Sequence, residues 1–291
     1  MRAVGGIVHG KYSMIALIIV GIIALILVAV WFSLTARDRA VLFSSPQTFE
    51  HDGRLRSYRV AKPKTINEET KLIIGFHGFG DSSFRFAYYT ALHNADPEAL
   101  VVYPEAVTPD KPGLMPGWNA GYCCGSGWKG EVDDAGFIAA LIESLIVDYG
   151  LNPDNVFVTG FSNGAFMAQR MATDYPDLLR AVSAGSGSIG TTEHSLQPKD
   201  PVPILLMHGE QDKIVPFEGG VGASDPDFTW LPFDDTQRTW TEANGDKAIT
   251  EIQLYPENGH VWNDWRLKRF WHRVPEASRR TVNFFDSQRA T

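Results

Sequence analysis

The pentapeptide Gly160-Phe161-Ser162-Asn163-Gly164 constrains this chain more than any other stretch, because of what flanks it. It follows a strand-like run, Asn155-Val156-Phe157-Val158-Thr159, and opens a helix-like one from Ala165 to Thr173. Where a strand reverses sharply into a helix, a Cβ at either end of the turn would meet backbone, so glycine is needed there. Such a turn also lifts the central side chain clear of the sheet. A serine hydroxyl is a weak nucleophile, so a serine displayed this way implies a base beside it. Five residues can match by chance; the strand before them and the helix after them carry the weight.

The partners of such a serine come later in the chain, acid first and base second. Of the eight histidines, His260 and His272 lie far enough beyond Ser162 to follow an acid. His260 closes the turn-rich Pro256-Glu257-Asn258-Gly259-His260, directly after the strand-like Thr250 to Tyr255, whereas His272 sits in a basic, aromatic stretch typical of a solvated surface. His260 is the preferred base. The buried-strand run Pro203 to His208 leads into Gly209-Glu210-Gln211-Asp212, which makes Asp212 the preferred acid and Glu210 the runner-up. Against this stands the reading of Asp212 as a cap for the turn before Ile214. An oxyanion needs two N–H donors. Asn163 supplies the first, and Phe79 is expected to supply the second, from His77-Gly78-Phe79-Gly80 after the strand-like Lys71 to Phe76. His77 is read as orienting that loop.

Taken together, these segments resemble the polyhydroxybutyrate depolymerase and feruloyl esterase family of secreted α/β-hydrolases. The resemblance rests on His77-Gly78-Phe79-Gly80, Tyr103-Pro104, Gly117-Trp118-Asn119-Ala120-Gly121, Cys123-Cys124-Gly125 and Val132-Asp133-Asp134-Ala135-Gly136-Phe137. It continues through the serine motif, His208-Gly209 with Asp212, Val215-Pro216, Glu218-Gly219-Gly220 and Gly259-His260-Val261-Trp262, covering roughly residues 45 to 287 in the family's order. One departure lies after Trp262, where Asn263-Asp264-Trp265 replaces the family's usual Pro-Gly. The family's insoluble-polymer members carry a further binding domain, and this chain ends soon after its last helix, so a small or oligomeric ester is the expected substrate. Trp118 and Trp262 are expected to wall the acyl or phenolic group.

The strand-like runs at 72–76, 100–103, 155–159, 180–184, 203–208 and 249–255 alternate with helix-like ones near 134–148, 163–174 and 276–286. That alternation predicts an α/β fold, a mostly parallel sheet with helices on both faces. The loops Thr191–Pro203 and Gly219–Asp235 are expected to face the substrate. Residues 1–39 read as a different object. From Met14 to Trp31 the chain is uncharged and almost wholly aliphatic, long enough for a transmembrane helix and too long for an ordinary signal-peptide core. We expect a membrane anchor over residues 14–34, with a long signal sequence as the alternative, followed by a catalytic domain over 40–291 facing the periplasm or exterior.

The net charge is −8, and leaving out residues 1–39 removes Arg2, Lys11, Arg37 and Arg39 against Asp38 alone, so the remainder is more acidic still. A nucleic-acid partner is excluded on that balance. The basic, aromatic cluster Arg266 to Arg273 is a local exception. The two cysteines are adjacent, Cys123-Cys124, leaving a vicinal bridge and two free thiols as open readings. No paired His or Cys spacing suggests a metal. Gly185-Ser186-Gly187-Ser188-Ile189-Gly190 fits a dinucleotide fingerprint but precedes no helix-like run, so no cofactor is expected. The sequence thus points to a serine carboxylic-ester hydrolase, with an acyltransferase on the same fold and a catalytically dead, tethered binding module as rivals.

Overall fold

Five of the sheet's strands are apolar at nearly every position rather than at alternate ones, which is how a strand covered on both faces reads. The computed structural model describes residues 15–25, 28–29, 31, 34–107, 115–223, 226–262 and 274–289. Its strands are β1 (Gln47–His51), β2 (Arg54–Ala61), β3 (Leu72–Phe76), β4 (Leu100–Pro104), β5 (Val156–Phe161), β6 (Ala181–Gly185), β7 (Ile204–Gly209), β8 (Gly220–Val221), β9 (Thr229–Trp230) and β10 (Thr250–Tyr255). The main sheet has eight strands in the order β1-β2-β4-β3-β5-β6-β7-β10. β4, β3, β5, β6, β7 and β10 run parallel, and the β1–β2 hairpin joins antiparallel at the β4 edge. β8 and β9 form a separate ribbon.

The helices are α1 (Ala36–Phe43), α2 (Ser83–Thr90), α3 (Leu92–Ala95), α4 (Gly125–Lys129), α5 (Asp134–Tyr149), α6 (Asn163–Asp174), α7 (Phe233–Asn244) and α8 (Glu276–Ser287). Successive strand residues point to opposite faces, so the core divides in two. Leu72, Ile74, Val102, Val156, Val158 and Leu206 lie in the half covered by α5, α6 and α7. Ile73, Val101, Phe157 and Leu205 lie in the half covered by α1, α2, α3 and α8.

The expected boundary between residues 39 and 40 falls inside α1, and the reason is chemical. Thr35 caps this helix in a capping box with Asp38: the Asp38 N–H donates to Thr35 Oγ1 at 3.0 Å, and the Thr35 N–H donates to Asp38 Oδ2 at 2.8 Å. Asp38 is fully buried, and its Oδ1 lies 3.0 Å from both His93 Nε2 and Asn94 Nδ2. His93 Nδ1 in turn lies 2.8 Å from the Tyr103 hydroxyl. The Arg37 guanidinium donates to the carbonyls of His93, Asp96, Ala61 and Ala99. Asp38→Ala would leave the buried His93 Nε2 and the half-buried Asn94 Nδ2 and Thr35 N–H without this acceptor, and should lower stability by about 3 kcal/mol. Urea unfolding followed by circular dichroism measures it.

The expected anchor, residues 14–34, lies partly outside the described residues. Residues 15–25 are helical and exposed. They extend about 16 Å at 1.5 Å per residue, against about 30 Å of hydrocarbon. No helix among the described residues is long and apolar enough to cross a membrane, so the transmembrane helix expected here is not among the elements of the structure.

Candidate active site

The strand β5, the turn at Ser162 and the helix α6 form the sharp reversal read from the sequence. Ser162 adopts φ 57° and ψ −124°, a left-handed conformation that stores strain at the turn. A Cβ on Gly160 would come within 2.1 Å of the Gly164 carbonyl oxygen, and one on Gly164 within 2.1 Å of the Phe76 oxygen. Only glycine fits at either place. The Ser162 N–H is held by the Gly185 carbonyl at 2.9 Å, tying the elbow to β6.

Asp212 and His260 meet at the carboxyl ends of β7 and β10. His260 Nδ1 lies 2.7 Å from Asp212 Oδ2, with the carboxylate buried and the imidazole partly open. Asp212 Oδ1 accepts the N–H groups of Ile214 at 2.8 Å and Val215 at 3.0 Å, so the carboxylate is fixed from its other side. The turn-capping contacts and the histidine contact therefore belong to the same residue. Glu210 is exposed. The Phe161 ring, one residue before Ser162, stands 4.8 Å from the His260 ring. No hydrogen bond joins Ser162 Oγ to His260 among the described residues; such bonds often close only around a substrate. His272 and Trp265 lie outside the described residues.

Asn163 begins α6, where the first N–H groups of a helix have no partner within it. Its side chain braces a neighbouring loop: Oδ1 accepts the Trp118 N–H at 2.7 Å and Nδ2 donates to the Trp118 carbonyl at 3.1 Å. The Phe79 loop lies against the elbow, since a Cβ on Gly78 would sit 3.5 Å from Ser162 Cβ. His77 Nε2 accepts the Ala106 N–H at 3.1 Å, and its Nδ1 lies 2.8 Å from the Gly78 carbonyl. This histidine orients its loop.

The two tryptophans do not line an open cleft as expected. Trp118 is fully buried, donating its indole N–H to the His77 carbonyl at 3.0 Å, and Trp262 is buried with its N–H on Ser278 Oγ at 2.9 Å. Their polar edges are bound inside the fold, so they support the site from behind. The cavity beside the site is instead lined by Phe79, Tyr122, Trp128 and Phe228 together with Thr192 and Glu193, and holds about 270 Å³. Thr191 bridges to Trp230, bringing together the two loops expected to face substrate. Cys123 and Cys124 are buried near this wall as a vicinal disulfide. Gly185 to Gly190 opens no helix, consistent with its dismissal as a dinucleotide loop. Among the described residues no group of three His, Cys, Asp or Glu could hold a metal.

One neighbour of Asp212 was not singled out as a site residue. His208 Nε2 donates to the Val215 carbonyl at 2.9 Å and lies 3.5 Å from Asp212 Oδ2, so Asp212 stands between two imidazoles. The spacing His208-Gly209-x-x-Asp212 is the signal that could have found it. Burial holds the His208 imidazole below its ordinary value of 6.5, with the Asp212 carboxylate pulling the other way. The unfolded chain takes up this proton near pH 6.5 and the folded chain only at lower pH, so stability is lost as pH falls below about 6.5. The urea midpoint should fall between pH 7 and pH 5, and His208→Gln should reduce that fall.

Comparison with known proteins agrees with this architecture. The Aspergillus niger protein named "Probable feruloyl esterase C" is 28% identical over 177 residues, 58% of this chain and 59% of that one. The acyl-protein thioesterase 1 of Saccharomyces cerevisiae is 29% identical over 176 residues, 54% of this chain and 77% of that one. The acetylxylan esterase of Coprinopsis cinerea is 27% identical over 132 residues, 44% of this chain and 34% of that one. The matched stretches span 48% and 59% of the length of two of the curated relatives, so the chain covers about half of such proteins. The crystal structure of a Bacillus cereus carboxylesterase superposes with TM-score 0.57 at 14% identity, covering 80% of this chain and 95% of that one. That of esterase PE8 does so with TM-score 0.52 at 19% identity, covering 72% and 93%. At these identities the two structures speak to the fold alone, an α/β-hydrolase fold. A family model for phospholipases and carboxylesterases matches residues 58–232, more than half of the sequence, and the chain therefore belongs to the phospholipase/carboxylesterase family of α/β-hydrolases.

Proposed function

We propose that this chain is a serine carboxylic-ester hydrolase for small or oligomeric esters, working at a membrane outside the cytoplasm. The observation that carries the reading is the buried Asp212 bonded to His260 at 2.7 Å, beside an elbow that holds Ser162 at φ 57°. In this reading Ser162 Oγ attacks the ester carbonyl carbon as His260 Nε2 takes its proton. Asp212 keeps the imidazole in the tautomer that leaves Nε2 free and stabilises the imidazolium that forms. The N–H groups of Asn163 and Phe79 stabilise the tetrahedral oxyanion. The alcohol leaves with the proton from His260, and water repeats the sequence to release the acid and restore Ser162.

The cavity favours substrates of modest size. About 270 Å³ lies just below the usual range of about 300 to 1,000 Å³ for small-molecule sites. Its aromatic and polar lining suits hydroxyalkanoate oligomers or feruloyl and acetyl sugar esters, classes that include the reactions named for two of the relatives. The uncharged run Met14 to Trp31 supports the membrane location: residues 15–25 are exposed and apolar around the whole helix, which neither a core helix nor a solvated one tolerates.

A fluorophosphonate probe should label Ser162 in the folded protein, and p-nitrophenyl esters or methyl ferulate should be hydrolysed. Absence of any adduct would favour a binding module instead. Added acceptor alcohols should not divert most of the acyl product; if they did, the acyltransferase reading would replace this one. The protein should also sediment with membranes and be digested by protease added outside the cytoplasmic face.

A further inference from the structure

Among the described residues only five aromatic side chains are exposed: Trp31, Phe43, Phe79, Phe84 and Tyr88. All but Phe79, which lines the cavity, belong to one part of the molecule. The Trp31 and Phe43 rings are 5.5 Å apart, and the Arg39 guanidinium lies 5.3 Å from the Trp31 ring. Arg59 makes the next link. Its guanidinium donates to the carbonyls of Val41, Leu42 and Ser44, which bracket Phe43, and lies 5.5 Å from the Phe84 ring. Tyr88 follows Phe84 by one helical turn on α2 and so shares its face.

Single exposed apolar residues need no explanation, but a run of large rings that begins where the uncharged sequence Met14 to Trp31 ends does. Aromatic rings interleaved with arginines are the chemistry of the zone between lipid headgroups and acyl chains, where rings bury their bodies and cations meet phosphate. The molecule is acidic as a whole, yet the guanidinium groups of Arg39 and Arg59 lie over these rings, and Arg85, paired with Asp81, follows Phe84 directly. The seating of α1 removes any long tether. Leu34 is already buried in the body, three residues after Trp31. A linker of that length spans at most about 11 Å.

We propose that the catalytic body itself rests on a lipid bilayer through a collar formed by Trp31, Phe43, Phe84 and Tyr88. The apolar run is then one part of a larger contact. With the collar seated, the Phe79 loop, which leads directly into α2, brings one wall of the cavity beside the bilayer, from whose surface it takes esters.

The test uses the full chain bound to vesicles of phosphatidylcholine and phosphatidylglycerol. An environment-sensitive dye on Tyr88→Cys should shift to the blue on vesicle binding and be quenched by lipids brominated in their acyl chains. The same dye on Val147→Cys, exposed on α5 across the sheet, should do neither. The triple variant Phe43→Ser, Phe84→Ser, Tyr88→Ser should hydrolyse a soluble ester within about twofold of the parent, but a vesicle-borne ester about tenfold more slowly, as expected if interfacial binding scales with buried apolar area. This kinetic arm rests on the esterase reading of Ser162; the emission arm does not, so inactivity toward both esters would strike that reading and leave the collar to the dye. A dye at position 88 that reports water with the chain bound to vesicles overturns the proposal. So does a blue shift that depends on protein concentration without lipid, which would make the patch a contact between copies.

Discussion

Ser162→Ala is expected to lower kcat by at least about 10⁴-fold while leaving the fold intact, a loss of more than about 5 kcal/mol of transition-state stabilisation. The elbow makes this a clean substitution. Ser162 Oγ makes no hydrogen bond among the described residues, and the tight contacts of the turn are made by Gly160 and Gly164. Alanine at φ 57° bears much the same backbone strain as serine, so the urea midpoint should hardly move. Residual hydrolysis above the uncatalysed rate should survive, because the oxyanion donors remain. The measurement is kcat on p-nitrophenyl butyrate with unfolding run in parallel. Retention of most of the activity by a folded Ser162→Ala protein would remove Ser162 from the mechanism.

Asp212→Asn should have the second largest effect, about 10⁴-fold in kcat with KM little changed. Asparagine can still accept from the N–H groups of Ile214 and Val215 through its carbonyl oxygen, so the turn survives. What changes is the group facing His260 Nδ1. An amide N–H there drives the imidazole to the opposite tautomer, with its proton on Nε2, where a base is needed. Asp133→Asn provides the contrast. Asp133 caps α5 by accepting the Gly136 N–H at 3.0 Å and pairs with His51 on the surface. Its neighbour Asp134 is buried against Arg56 at 2.6 Å. Neither acid touches His260, so Asp133→Asn should alter stability and leave kcat within a few-fold. A kcat collapse in Asp133→Asn and none in Asp212→Asn would move the orienting acid to the loop before the serine.

How far the sequence could be read depended on burial. The parallel strands β3 to β7 were legible because both faces are covered, which leaves runs such as Leu72-Ile73-Ile74 and Ile204-Leu205-Leu206-Met207. The β1–β2 hairpin was not, because it lies at the edge and its residues Gln47-Thr48-Phe49-Glu50-His51 are mostly exposed and polar. α7 hid for a related reason. Its buried face is Phe233, Thr236, Trp240 and Asn244, a helical spacing in which half the residues are polar. At the site, chain order and turns after strands put forward Ser162, Asp212 and His260, and the structure joins the last two by a hydrogen bond. Trp118 and Trp262 were misread because an aromatic residue near a motif carries no sign of which way it faces. Only the partners of their indole N–H groups, His77 and Ser278, show that they point inward.

The seating of α1 also has a consequence for the order in which the chain is assembled at the ribosome. Arg37 is held by carbonyls from Ala61, His93, Asp96 and Ala99, and Asp38 by His93 and Asn94. The Ala61 and Ala99 carbonyls come together only when β2 has paired with β4, and the His93, Asn94 and Asp96 groups all follow Arg37 and Asp38 by more than fifty residues. The first helix of the body to leave the ribosome is therefore among the last of its half to find a place. Throughout that interval Val41 and Leu42 have no core to enter, and the apolar run just before them is already complete. Docking of that helix would then mark the completion of its half of the core.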